Sequence, residues 1–151
     1  MSSVDVECLA EAHERMRELA AAAYPNEGCG VLIGRRVEGK TQIFDATSAR
    51  NLNEERARDR YLMDPGDIVR ADREARAQGL DVVGYWHSHP DHPAHPSQFD
   101  TDHAWVDLVY IICATTREGT GDVNAFTLSD EGGAFVPLLL IVTPREPTPA
   151  P

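Results

Sequence analysis

Near its middle the chain carries the segment Val82-Val83-Gly84-Tyr85-Trp86-His87-Ser88-His89-Pro90. Its first five residues are β-branched, aromatic or glycine, which predicts a short buried strand over residues 82–86. Side chains two residues apart on a strand point to the same face, so His87 and His89 at its end can reach one metal ion. Pro90 has no N–H group, and we therefore expect the strand ladder to stop there.

A proline-rich loop and the start of a helix follow this strand. Residues 90–96 hold three prolines and are expected to form a stiff loop, after which Ser97 begins a helix. Asp100 lies in the first turn of that helix, where it can supply a third ligand. Two imidazoles and a carboxylate suit Zn²⁺, and three protein ligands leave the fourth position open to water, as in catalytic zinc sites. The pattern predicts a metallohydrolase with zinc at His87, His89 and Asp100.

Each part of this pattern also has a simpler interpretation. Many proteins contain His-x-His without binding a metal. Ser97 and Asp100 fit a capping box, in which the serine caps the helix and the acid bonds back to the serine backbone. His103 shares a helix face with Asp100 and is a candidate fourth ligand that would close the site. Cys29 is another candidate fourth ligand, although a buried structural thiol is the commoner role.

Four other side chains near these motifs are candidates for the site or for the core. His92 and His95 are expected in the loop, near the mouth of the cleft. Trp86 and Trp105 are expected to belong to the hydrophobic core rather than to a substrate-binding surface.

Taken together, Glu27, His87-Ser88-His89-Pro90, Ser97 and Asp100 resemble the motif of the JAMM (MPN-type) zinc metalloproteases. That motif consists of a glutamate far upstream, then His-x-His-Pro, then Ser-x-x-Asp, and every position matches. The resemblance extends from the first helix to about residue 142. The context of Glu27, Pro-Asn-Glu-Gly-Cys-Gly, is especially similar to compact prokaryotic members of the family.

The resemblance implies a fold and a chemistry. The implied fold is α/β, a mixed central sheet flanked by helices, similar to that of cytidine deaminases. The implied activity is zinc-dependent hydrolysis of a peptide or isopeptide bond, often at the C-terminus of a ubiquitin-like protein. Within it, Glu27 is implied to be the general base and Ser97 the donor of a hydrogen bond to the oxyanion. The chain shows no insertions and looks most like compact bacterial members that act on ubiquitin-like sulfur-carrier proteins, and this resemblance implies such a carrier as the substrate.

Two other function classes share features with this pattern. A non-catalytic, zinc-binding interaction module of the same family would use the same fold, but the intact ligand set argues against it. A deaminase of the cytidine type requires Cys-x-x-Cys and His-x-Glu, and the sequence contains neither.

Length, charge and cysteine content indicate which partners and which cellular location to expect. The chain has 151 residues, enough for one domain with a proper core, and its net charge of −11 argues against nucleic acids and anionic membranes as partners. Three cysteines without a Cys-x-x-Cys pattern indicate reduced thiols. We find neither a signal-peptide pattern nor an apolar run long enough for a membrane span, so we expect a cytoplasmic protein. Nothing in the sequence indicates its oligomeric state.

The remaining pattern predicts three helices and several strands. Helices are expected over residues 6–23, over 65–78 after a capping Asp64, and from 97 onward. Strands are expected over residues 30–34, 41–45, 60–63, 82–86, 108–114, 124–128 and 135–142. Residues 51–60 are expected to be a loop. Residues 1–142 are taken as the catalytic domain, and residues 143–151, with four prolines, as a disordered tail.

Overall fold

The computed structural model describes residues 5–129 and 133–144. Its helices and strands follow one another as β1 (Val6–Leu9), α1 (Ala10–Ala23), β2 (Cys29–Val37), β3 (Lys40–Ala49), α2 (Pro65–Ala77), β4 (Asp81–Pro90), α3 (Gln98–Asp102), β5 (Val109–Thr116), β6 (Gly119–Leu128), β7 (Phe135–Leu138) and β8 (Leu140–Thr143).

The strands form one mixed sheet in the order β7-β6-β5-β4-β2-β3-β1-β8. Strand β4 runs parallel to β5 and antiparallel to β2, so it lies in the interior of the sheet. Strand β1 is parallel to both of its neighbours, β3 and β8. The predicted mixed α/β architecture is confirmed.

The two outer strands of the sheet are separated in sequence by Leu139 alone. Strand β7 pairs with β6 and strand β8 pairs with β1, so the sheet curves until its two ends meet. The Leu139 carbonyl accepts hydrogen bonds from the backbone N–H groups of Asp5 and Val6, both at 3.0 Å. The single strand predicted over residues 135–142 is therefore bent at Leu139 into two, because its halves pair with different ends of the sheet.

The two long helices cover opposite faces of the sheet. Helix α1 packs against strands from both halves of the curved sheet and buries Ala12, Met16 and Ala20. Helix α2 buries Ala71 and Ala75 on the other face. Strand β2 shows the alternation, since Leu32 belongs to the α1 core while Val31 and Ile33 belong to the α2 core.

The first predicted helix begins later than expected. Residues 6–9 form strand β1, which pairs with residues 41–43 of β3, and the helix starts at Ala10. Val6 and Cys8 are both completely buried. These two residues satisfy a period of two as well as the helical period, so the sequence pattern there was ambiguous.

Two further expectations about strands were wrong. Residues 60–63 do not form a strand, and only Met63 makes an isolated bridge, to Asn51. Strand β4 does not stop before Pro90 but continues through it, with Pro90 opposite Thr115 of β5. The ladder survives because the next N–H group, that of Asp91, donates to the Thr115 carbonyl at 2.7 Å.

Other local expectations hold at the ends of elements. The Asp64 side chain accepts a hydrogen bond from the Gly66 N–H at 2.9 Å and caps α2, as predicted. Thr143, the first residue of the predicted tail, belongs to β8, and residues 145–151 lie outside the described part of the chain. Among the helices that the structure describes, none is long and apolar enough to cross a bilayer.

Candidate metal centre

Two histidines at the carboxyl end of β4 meet the aspartate of α3. His87 and His89 lie on the face of the sheet that α2 covers. Trp86, the residue before His87, points to the opposite face and into the α1 core. The Nε2 atoms of His87 and His89 are 3.1 Å apart. The Asp100 carboxylate lies 3.1 Å from the first and 3.0 Å from the second. The structure thus brings together the three residues that the spacing predicted as ligands.

The donor atoms suit a metal ion. All three residues are buried, and their ligand atoms form a triangle with edges of 3.0–3.1 Å. Around a tetrahedral zinc ion, donors about 2.0–2.2 Å from the metal lie roughly 3.4 Å from one another. The observed triangle needs only a small expansion to reach that spacing. Two facing imidazole nitrogens and a carboxylate are also acceptors that a single cation can satisfy.

Neighbouring groups orient each of these ligands. The His89 Nδ1–H group donates to the Pro93 carbonyl at 3.0 Å, which leaves the Nε2 lone pair directed at the site. The His87 ring stacks on Tyr61, with ring centroids 4.7 Å apart. The Ser97 N–H donates to the Asp100 carboxylate at 2.9 Å. The stiff loop after β4 therefore fixes the orientation of the His89 ring through the Pro93 carbonyl.

The protonation states of Asp100 and His87 also favour cation binding, whereas that of His89 opposes it. Burial disfavours the charged form of Asp100, but hydrogen bonds with His87 and His89 outweigh it and hold the pKa of that carboxyl well below its usual range. Burial lowers the pKa of His87, so this ring is neutral. Burial also opposes charge on His89, yet hydrogen bonds with Asp100 and the Pro93 carbonyl raise the pKa of His89. A metal ion requires the deprotonated forms, and it would displace the proton that His89 retains.

Glu27 reaches the same site through strand pairing. Strand β2 is antiparallel to β4 with Cys29 opposite His87, so continuing the register puts Glu27 opposite His89. Ser88, between the two histidines, fixes this approach. Its hydroxyl accepts from the Gly28 N–H at 2.7 Å, and its own N–H donates to the Gly28 carbonyl at 3.0 Å.

Glu27 is an unusual carboxyl group. It is 6% exposed, and its Oε1 atom has no hydrogen-bond partner among the residues that the structure describes. Burial raises the pKa of Glu27 to about 8. A buried carboxyl with such a pKa in a cleft is typical of a group that exchanges protons near neutral pH.

Glu27 and His89 line one open cleft of about 360 Å³. Its other lining residues are Asp59, His92, Pro93, His95 and Ser97. His92 and His95 therefore line the cleft, as the sequence predicted. Ser97 serves the predicted capping box, because its hydroxyl accepts from the Asp100 N–H at 3.0 Å. Its side chain is nevertheless exposed to the cleft.

The structure gives two other candidate ligands different roles. The His103 Nδ1–H group donates to the Phe99 carbonyl at 2.8 Å, and its ring stacks on Phe99. The Cys29 thiol contacts the Ala49 carbonyl, and burial raises the pKa of Cys29 to about 12, so it stays protonated. Neither belongs to the cluster of potential ligands found in the described residues. A fourth protein ligand from either residue is therefore not supported.

The expectation for the two tryptophans was half right. Trp86 is buried, and its indole N–H donates to the Thr47 carbonyl at 2.8 Å. Trp105 is 72% exposed, so its assignment to the core was wrong. It follows α3 in an irregular segment that no element of the described structure covers.

Trp105 belongs to a second, largely apolar cleft, which Asp100 also lines and Glu27 does not. This cleft has a volume of about 230 Å³. Its apolar and aromatic lining residues are Tyr61, Leu62, Met63, Ile68, Tyr85, Phe99, Trp105 and Tyr110. The sequence reading missed it, because its residues come from separate segments that only the fold brings together.

Comparison with known proteins places this site in a family. The model of the Prok-JAB family, described as prokaryotic homologues of the JAB domain, matches residues 9–129. The chain belongs to the Prok-JAB family. The resemblance to compact prokaryotic JAMM/MPN proteins is therefore confirmed, and the five motif positions, Glu27, His87, His89, Ser97 and Asp100, lie within the matched range.

Two curated relatives of this Prok-JAB protein carry functional names. The desampylase of Haloferax volcanii is 36% identical over 114 residues, which cover 70% of this chain and 78% of that protein. The probable TtuB-protein conjugate cleaving protease of Thermus thermophilus is 31% identical over 106 residues, 70% of this chain. The match spans 64% of that second protein, just under two thirds of its length.

Solved structures resemble this Prok-JAB chain over nearly its whole length. A Desulfitobacterium hafniense protein solved in solution is 27% identical, with a TM-score of 0.81, and the match covers 93% of this chain and 94% of that one. A Salinibacter ruber protein, also solved in solution, is 32% identical with a TM-score of 0.73, covering 96% and 94%.

Proposed function

We propose that this chain is a zinc-dependent isopeptidase or peptidase that cleaves the bond formed by the C-terminus of a ubiquitin-like sulfur-carrier protein. The observation that carries the proposal is the buried His87, His89 and Asp100 triangle next to the unpartnered carboxyl of Glu27. The names of the two relatives support the substrate class, since one is called a conjugate cleaving protease. A cytoplasmic location agrees with such a substrate.

The metal is assigned to the three converging side chains. The Nε2 atoms of His87 and His89 and the carboxylate of Asp100 would hold the ion. A zinc ion supplies a water nucleophile at neutral pH and polarises the carbonyl group under attack. With three protein ligands, a coordination position stays available for that chemistry, which distinguishes the proposal from a closed structural site.

Glu27 is the proposed carrier of protons. Its pKa of about 8, raised by burial, lets it accept a proton from water and return one to the leaving amine close to neutral pH. Its Oε1 atom is buried and has no hydrogen-bond partner in the described residues, so this acceptor is not committed to another group. An amide at this position has the same shape but cannot accept the proton.

Ser97 is the proposed oxyanion donor. Its hydroxyl oxygen already accepts the Asp100 N–H, and its hydroxyl hydrogen has no acceptor among the described residues, so it can donate into the cleft. One residue can therefore hold a ligand in position and stabilise developing charge. The domain organisation that we propose keeps residues 1–142 as the catalytic unit, extends it by Thr143 because that residue belongs to β8, and treats the residues after it as a tail.

The exposed apolar surface favours a folded protein as substrate. Trp105 and Leu62 are 72% and 59% exposed and lie beside the cleft next to Asp100. Exposed apolar groups that cluster in one place are typical of protein-interaction sites. We propose that the body of the carrier protein contacts this surface while its tail enters the cleft of Glu27. The resemblance to a cytidine-deaminase fold concerns topology alone and adds no deaminase chemistry.

The test uses a sulfur-carrier protein that ends in two glycines and is joined through its C-terminus to a lysine side chain of a reporter peptide. The comparison substrate is an unfolded peptide with the same tail and the same isopeptide bond. We expect the zinc-loaded protein to release the reporter much faster from the folded carrier. A chelator should stop release, and added zinc should restore it.

Other results would favour other functions. Equal rates on both substrates would indicate a general small-peptide hydrolase. No release from either, with zinc bound, would favour the non-catalytic interaction module. A Trp105→Ala variant sharpens the test, because it should slow release from the folded carrier and leave the slow peptide reaction unchanged.

A further inference from the structure

Residues 51–62 form a loop that one side chain holds closed. The Asn51 amide group donates to the Arg60 carbonyl at 3.0 Å, and its Oδ1 atom accepts from the Leu62 N–H at 3.0 Å. Oδ1 also accepts from the Asn53 N–H at 3.0 Å. The end of the loop is further joined by the Leu52 N–H, which donates to the Leu62 carbonyl at 2.7 Å.

The same amide group also reaches the candidate site. Asn51 Nδ2 donates to the main-chain carbonyl of Glu27 at 3.3 Å. The side chain thus makes four hydrogen bonds, which is the full capacity of a carboxamide with two N–H donors and two acceptor lone pairs. Of the other residue types, only glutamine carries that set, on a longer side chain, so the position has a narrow chemical requirement.

Both main-chain groups of Glu27 are held by this loop. The Glu27 N–H donates to the Ala57 carbonyl at 2.6 Å, and the Glu27 carbonyl accepts from Asn51. Strand β2 begins at Cys29, beyond Gly28, so Glu27 lies outside the strand and its backbone is not held by the regular strand ladder. The loop therefore sets the backbone position of the carboxyl group that lines the cleft.

The loop also contacts the other side of the site. Tyr61 stacks on His87, and the Arg60 guanidinium lies over the Phe99 ring, 4.7 Å from its centroid. Phe99 precedes Asp100 in α3. One closed loop thus spans the segment of Glu27, one histidine and the helix of the aspartate.

We infer that Asn51 is a positioning residue, which holds Glu27 in register with His89 by closing the 51–62 loop. The inference rests on the proposed function, in which Glu27 carries the proton. Catalytic groups displaced by about 1 Å lose roughly 10²-fold in rate. Asn51→Ala should therefore lower kcat by about 10- to 100-fold, with KM and the zinc content close to wild type.

Asn53→Ala is the matched control. The Asn53 side chain accepts from the Arg56 N–H at 3.0 Å within the same loop, but no hydrogen bond joins it to Glu27 in the described structure. It should leave kcat nearly unchanged. Asn51→Asp provides a second variant of the same size, in which carboxylate oxygens face the carbonyls of Glu27 and Arg60. It should lower kcat at least as much as the alanine variant, with little change in folding.

A double variant separates positioning from a general structural role. If Asn51 acts through Glu27, then Asn51→Ala should lower the residual rate of Glu27→Gln much less than it lowers the wild-type rate. Equal losses in the two backgrounds would overturn the inference.

The second readout needs neither metal nor substrate. Amide hydrogen exchange, followed by NMR on the chelator-treated protein, reports the hydrogen bond of the Glu27 N–H group directly. We expect that amide to exchange at least about tenfold faster in Asn51→Ala and Asn51→Asp than in wild type, and unchanged in Asn53→Ala. Unchanged Glu27 exchange in both Asn51 variants would overturn the inference, even if wild type proved to have no hydrolase activity. Full turnover by both Asn51 variants would overturn it while leaving the proposed function intact.

Discussion

The two faces of the central sheet differ in what they bury. The α1 face buries apolar side chains almost throughout, among them Met16, Leu32 and Ile111, each completely buried. The α2 face begins in the same way, with Val31 and Ile33 against the helix. Toward the carboxyl end of β4, however, it buries ionisable groups.

Burial of polar groups is costly unless each finds a partner. On the α2 face His87 Nδ1 and Glu27 Oε1 are buried without a partner in the described chain. The apolar core on the α1 face offsets such costs, because apolar burial is the main favourable term in folding. One face therefore provides stability and the other provides chemistry, and substitutions should separate the two.

The largest expected effect on chemistry comes from Glu27→Gln. The amide keeps the size of the side chain but cannot take up the proton, so kcat should fall by about 10²- to 10⁴-fold. Zinc content should stay at the wild-type level. Steady-state rates on the isopeptide substrate, with metal analysis of the same samples, measure both quantities.

The control is Asp59→Asn, which removes another carboxylate from the same cleft. Asp59 is exposed and pairs with Arg56, so its loss should leave the rate near wild type. Full turnover by Glu27→Gln would remove Glu27 from the mechanism.

The opposite face is probed by Leu32→Ala. This change leaves a cavity in the α1 core and should lower the free energy of unfolding by about 2–5 kcal/mol. The zinc content of the folded protein should not change, because Leu32 faces away from the site. Urea denaturation measures the loss, and Val69→Ala on the exposed side of α2 should change stability by less than about 0.5 kcal/mol. A Leu32→Ala variant that stays folded yet binds no zinc would contradict the division between faces.

Ser97→Ala should affect both catalysis and stability. Loss of the oxyanion donor should lower kcat by about 10²- to 10³-fold with substrate affinity nearly unchanged. Loss of the cap on α3 should cost about 1 kcal/mol of stability. Ser97→Thr keeps both the hydroxyl and the cap and should restore both properties. If the rate falls only in proportion to the fraction of unfolded protein, Ser97 has a capping role alone.

The last prediction concerns stability alone, through its dependence on pH. Burial raises the pKa of Glu27 from 4.5 to about 8, so the folded state binds more protons than the unfolded state between these values. Stability contributed by this group is present below pH 4.5 and is lost as the pH rises toward 8. The metal-free Glu27→Gln protein should therefore lose less in Tm than metal-free wild type between pH 5 and pH 8. Parallel Tm curves for the two proteins would show that Glu27 is not perturbed.

The sequence predicted the parts of the site that depend on local geometry. His87, His89 and Asp100 are close in the chain, and strand periodicity with a capping box was enough to bring them together. Glu27 lies far upstream, and only the resemblance pointed to it, because its place depends on the pairing of β2 with β4. Asn51 was missed for the same reason, since its bonds join residues from Glu27 to Leu62.

Other misses came from patterns with two meanings. Val6 and Cys8 satisfy both helical and strand periods, and only pairing with β3 decides between them. Trp105 is a large apolar residue of the kind that is normally buried, and no local signal marks it as exposed. The bend at Leu139 depends on the closure of the whole sheet, which no single segment encodes.

The central claim is that His87, His89 and Asp100 hold one catalytic zinc ion. The most direct measurement is the metal content of wild type and of the His87→Ala/His89→Ala double variant, both purified without chelators. We expect about one zinc per chain in wild type and almost none in the double variant, with both proteins folded. Zinc bound by the double variant as tightly as by wild type would contradict the claim.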